Sequence, residues 1–178
     1  MSWVHILVLV TSCVFLGWPW STFIEPPSKD DFYIPPEGFE YSNLGDILNV
    51  RMVINQIGNV FPAGVKNIWQ VLVRSQDSFE NPNAIVTTIV EPYNADPTKI
   101  VSYQTFEDAA NINCSPSYTL RYGTTPTIAT FVEMQMISMI LESGYYLVIP
   151  DYEGPKSAFA VGGQSSNAIL DSIRAVVW

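Results

Sequence analysis

Histidine is nearly missing from this sequence: there is one, His5, and there are only two cysteines, Cys13 and Cys114. Basic residues are scarce too, eight Lys and Arg against 17 Asp and Glu, for a formal charge of −9. The eight stand singly along the chain, which excludes a nucleic-acid surface, because phosphate binding takes clustered cations. Acidity is densest where Glu25, Asp30, Asp31, Glu37, Glu40 and Asp46 face only Lys29, and this reads as a solvated stretch. Internal repeats and low-complexity tracts are lacking. What remains is 48% hydrophobic and 13% aromatic, the make-up of a packed globular chain, and 178 residues suit one domain.

The apolar run ILVLVTSCVFL, Ile6 to Leu16, is too short to span a bilayer as a helix but fits the core of a secretory signal. No Lys or Arg leads it, and GWPWSTF offers no clear pair of small residues, so cleavage is expected somewhere from Gly17 to Thr22. A retained membrane anchor is the competing reading. Taking residues 1–21 as the signal removes His5 and Cys13. The rest then has no imidazole for a metal site or for a Ser-His or Cys-His pair. It keeps a single thiol, Cys114, in an oxidising compartment.

Residues 22–66 begin with IEPPSKDDFYIPPEGFEYSNLGDIL, whose Pro26, Pro27, Pro35 and Pro36 predict an extended surface arm, followed by first strands. Residues 67–178 have clearer periodicity. NIWQVLVRS (Asn67 to Ser75), AIVTTIVEP (Ala84 to Pro92) and KIVSYQTF (Lys99 to Phe106) are β-branched and aromatic runs that read as strands. Thr125 and Pro126 predict a helix start, and Gly144 a left-handed stop. Between them Ile128, Phe131, Val132, Met134, Ile137, Ile140 and Leu141 predict a wide buried face, with Met134, Met136 and Met139 as core filler. YYLVIPD, Tyr145 to Asp151, reads as a strand buried on both faces. A second helix is expected after it, capped by Ser165 or Ser166, with Ile169, Leu170, Ile173 and Val176 on one face. Strand, helix, strand, helix is the order of a parallel sheet with crossovers, whose ligands gather at the strands' carboxyl ends.

Four carboxylates fall at such ends: Glu107, Asp108, Asp151 and Glu153. They are compatible with a glycosidase-type acid and base pair, with a Ca²⁺ site, or with plain loop and helix capping. A more specific reading takes IVSYQTF as the third strand of an α/β-hydrolase, since the loop after that strand gives one backbone N–H to the oxyanion hole. Asp108 stands at the start of that loop. The nucleophile elbow G-x-S-x-G does not occur in the sequence. GQSSN, Gly163 to Asn167, has Asn in place of the second glycine and follows no strand, so Ser165 reads as a helix cap.

The segments AIVTTIVEP, SYQTFEDAANINCSPSY, SGYYLVIPDYEGP with SAFAVG, and AILDSIRAV closely resemble the secreted fungal triacylglycerol lipases of the lipase A type. The likeness runs from about Pro35 to Ala175, in that family's order. It implies an α/β-hydrolase, here incomplete, with a Ser-Asp-His triad, an oxyanion hole and a lid in the full-length family. It implies that Asp108 supplies an oxyanion N–H and that Cys114 forms a disulfide with a cysteine outside this chain. The implied substrate is triacylglycerol or another lipid ester at a lipid–water interface, outside the cell, with no cofactor, no metal, no nucleic acid and no stable protein partner. The expectation is the N-terminal part of a lipase, ending before its nucleophile strand, which should lie beside Tyr145 to Ile149. As it stands such a chain should be inactive. The alternative is a non-catalytic secreted relic, lipid-binding or without function.

Overall fold

The computed structural model describes residues 24–54 and 56–177. The expected signal, residues 1–21 with His5 and Cys13, lies outside them. Two β-branched runs form a long antiparallel hairpin, β2 (Asn67–Gln76) and β3 (Pro82–Glu91), with β1 (Ile47–Met52) antiparallel on the outer side of β2. The hairpin turn is closed by Asp77, whose carboxylate accepts from Phe79 N at 2.8 Å and Asn81 N at 3.0 Å. The remaining strands are β4 (Ile100–Ser102) and β5 (Tyr146–Pro150), and the sheet order is β1-β2-β3-β5-β4. β5 runs antiparallel to β3 and parallel to β4.

Two strand expectations change. KIVSYQTF contributes only three ladder residues; Tyr103 N still donates to Val148 O at 2.8 Å, and beyond it the chain leaves the sheet. β5 has no open edge, because the crossover helix returns the chain to the inside of β4. Among the described residues β4, not β5, ends that side of the sheet. A further strand on that side would therefore pair with β4.

A short helix, α1 (Pro116–Thr119), precedes that crossover helix, α2 (Ile128–Glu142). The cap of α2 is Thr127, two residues later than expected. Thr127 Oγ1 accepts from Thr130 N at 3.1 Å while Thr130 Oγ1 accepts from Thr127 N at 3.0 Å, a reciprocal box that satisfies two helix-end donors at once. Gly144 stops the helix at φ +80°, as expected. The buried stripe of α2 is narrow: Met134, Ile137 and Leu141 pack on Ile68, Val90, Leu147 and Ile149. Each such aliphatic side chain contributes about 1.5–3 kcal/mol. Ile128, Phe131, Val132, Met136 and Met139 are exposed, so of the three methionines only Met134 is core.

The arm is not merely superficial. It forms 3-10 turns at Asp31–Tyr33 and Phe39–Tyr41, and Phe32 packs on Leu72, Ala84 and Val86 to extend the core. Arg51 holds it there, stacking 4.1 Å from the Phe32 ring centre and pairing with Asp30 at 2.6 Å.

On the opposite face lies α3 (Gly162–Val176), which begins before the expected serine caps. Ser165 and Ser166 sit inside it, their hydroxyls donating to Val161 O and Gly162 O. The sheet-facing stripe is Gln164, Ala168, Asp171 and Ser172, small or polar. Asp171 accepts from Ser75 Oγ at 2.7 Å, and Ser172 Oγ lies 2.6 Å from Thr87 Oγ1. These bonds reverse the expected orientation: Ile169, Ile173 and Val176 are only half-buried and Leu170 is exposed.

Candidate functional site

The carboxyl end of β4 is built from a segment that has left the sheet yet stays fixed. Tyr103 Oη donates to one oxygen of Glu133 on α2, and Phe106 N donates to the other at 2.5 Å. From the loop after β5, Tyr152 Oη donates to Thr105 O at 2.9 Å. Burial, and then the bond to Glu133, hold the Tyr103 phenol well above its ordinary range, so it remains a donor across physiological pH. Glu107 follows, buried, and Asp108 after it is exposed. Among the described residues the Asp108 N–H meets no acceptor.

The four sequence-predicted carboxylates do converge here. Burial, then the charges of Asp151 and Glu153, push the Glu107 carboxyl up to about 9. Burial pushes Asp151 up to about 7, partly offset by hydrogen bonds from the Ser117 hydroxyl and from Ser117 N, the latter at 2.8 Å. Glu153 is raised by burial and then by Asp108. One oxygen of Glu107 and both of Glu153 are buried without a partner among the described residues. Two alternatives lose their basis. A glycosidase pair must share one cleft that admits a sugar, whereas Asp151 borders a cavity of about 10 Å³ and Glu153 a separate one of about 280 Å³. For Ca²⁺, no group of three or more acidic side chains among the described residues is arranged to hold an ion.

Ser165 is not an elbow: it lies a turn inside α3 and bonds its own helix backbone. Cys114, in a 3-10 turn at Ile112–Cys114, is exposed, and its thiol is unpaired among the described residues. Sequence reading overlooked Glu133, Tyr152 and Ser117. Glu133 had a visible signal, being the only charge between Pro126 and Leu141. Ser117 and Tyr152 had none, since their partners are 34 and 47 residues away.

Comparison with known proteins gives this geometry its setting. Residues 120–178 match the family described as Secretory lipase. Lipase 2 of Candida albicans is 60% identical over 156 residues, covering 86% of this chain and 34% of that protein. Lipase 1 of the same organism is 54% identical over the same share of the chain and 33% of its own length. The closed state of Candida antarctica lipase A superposes with a TM-score of 0.77 at 35% identity, over 86% of this chain and 36% of that one. The chain thus spans about a third of the length of the relatives it matches. On these matches the chain belongs to the secretory lipase family, over the third of its relatives that it spans, and has part of an α/β-hydrolase fold.

Proposed function

We propose that this chain supplies the oxyanion side of a secreted triacylglycerol lipase, with the backbone N–H of Asp108 as one donor to the oxyanion. The observation that carries the reading is that Asp108 lies two residues beyond Phe106, the last anchor of the segment after β4, with an N–H that meets no acceptor among the described residues. A lipid ester carbonyl docked at this edge gains negative charge on oxygen as a nucleophile adds, and a fixed N–H stabilises that charge more than the neutral ground state. In this reading the nucleophile comes from a strand paired with β4, residues 1–21 are a secretory signal, 22–66 the arm with its first strand, and 67–178 the start of the hydrolase domain. Cys114 forms a disulfide with a cysteine outside the chain, in keeping with an exposed thiol in an oxidising compartment.

The test uses a full-length lipase in which this chain replaces the matching third of Candida albicans Lipase 2. Asp108→Pro removes the donor and is expected to lower kcat about 10²- to 10³-fold. Asp108→Ala keeps the N–H and controls for the side chain; the fixed φ of proline is controlled by comparing thermal melts. If the proline variant folds and turns over within about threefold of its parent, Asp108 is not an oxyanion donor.

A further inference from the structure

The carboxylate of Glu133 is buried, 3% exposed, in a helix whose other sheet-facing residues are Thr130, Met134, Ile137 and Leu141. Burying a carboxylate is costly unless it is paired or hydrogen-bonded. No lysine or arginine pairs with Glu133 among the described residues. Both of its bonds instead come from one short segment: the Tyr103 hydroxyl on one oxygen, and Phe106 N on the other at 2.5 Å. An aliphatic residue would pack there without the desolvation cost, so the carboxylate is explained by what it holds.

What it holds is the path to Asp108. The Thr127–Thr130 box, with Asn59 Nδ2 donating to Thr130 Oγ1 at 2.5 Å, fixes the start of α2 and so the height of Glu133, six residues into the helix. Glu133 then fixes Tyr103 and Phe106, and Tyr152 fixes Thr105 from the far side. Asp108 is two residues beyond the last of these anchors. We propose that Glu133 is the positioning residue of the oxyanion site: its two-pronged carboxylate sets where the Asp108 N–H points. This rests on the reading of Asp108 given above.

The experiment uses the same full-length lipase and measures kcat and KM on a soluble short-chain ester. It also measures affinity for a trifluoromethyl ketone, which forms a tetrahedral oxyanion adduct. Glu133→Ala is expected to lower kcat about tenfold or more and leave KM within about twofold, with ketone affinity falling in proportion to kcat/KM. Glu133→Gln still accepts the Phe106 N–H and should recover to within about threefold of the parent. Tyr103→Phe removes one prong and tests the idea if the alanine variant does not fold; it should show a smaller loss of the same kind. A variant that melts lower yet keeps its kcat and ketone affinity would make Glu133 merely structural and overturn the proposal. If Asp108→Pro cripples turnover while the Glu133 and Tyr103 variants do not, the positioning role fails and the oxyanion reading stands. If Asp108→Pro is harmless, the oxyanion reading itself has failed.

Discussion

Replacing Glu107 by Gln should make the protein more stable in mild alkali and leave it unchanged in mild acid. Glu107 is 7% exposed, beside Asp151 and Glu153, and its carboxyl is pushed up to about 9 by burial first and those charges second. The sign follows from proton counts. Below about pH 4.5 both folded and unfolded chains hold the proton, so the group's stabilisation is fully present. Above that the unfolded chain releases it while the folded chain keeps it, and stability falls with rising pH until the folded value is passed. The slope is about 1.4 kcal/mol per pH unit, so from pH 5 to pH 8 the loss from Glu107 is at most about 4 kcal/mol. Asp151, pushed up to about 7, adds loss of the same sign over the lower part of the range. The amide of Gln carries no titrating proton and mimics the neutral acid, so the variant should lose the Glu107 share only. For a chain of this length each kcal/mol is about 2–4 °C in Tm. The assay is a thermal melt of parent and variant at both pH values. Equal melts near pH 5 and a variant several degrees higher near pH 8 are expected. Parallel decline of the two would mean that Glu107 is ionised in the fold, and the reasoning would be wrong.

Gly144→Ala should lower stability by about 1–2 kcal/mol, read by chemical denaturation, since the position is left-handed. A Cβ there would also lie 2.9 Å from Asn94 O. The sequon at Asn113 to Ser115 should carry no glycan: Asn113 Oδ1 accepts from Ser28 N at 3.0 Å and Ser115 is buried. A mass shift on glycosidase treatment of secreted protein would contradict this.

Much of this protein was legible because local chemistry and long-range need agree. The hairpin runs Asn67–Gln76 and Pro82–Glu91 are β-branched, α2 carries an apolar stripe closed by Gly144, and YLVIP has no polar face; each pattern is stated within a few residues. The family's motifs lie in the same short runs, so the lipase likeness and the fold class were readable from them. The tertiary structure alone decided what depends on partners far along the chain. The insertion of β5 between β3 and β4 follows from how the crossover closes, and run order does not record it. The placing of Ile169 and Ile173 at the half-buried flanks of α3, and of Leu170 in solvent, follows from Ser75 and Thr87 on the sheet, which claim Asp171 and Ser172 for the inner face. The convergence of Glu107, Asp151 and Glu153 brings together residues from two strand ends. Burial raises the proton affinity of all three, and neighbouring carboxylates add to it at Glu107 and Glu153, a property of the assembled site that no single segment carries.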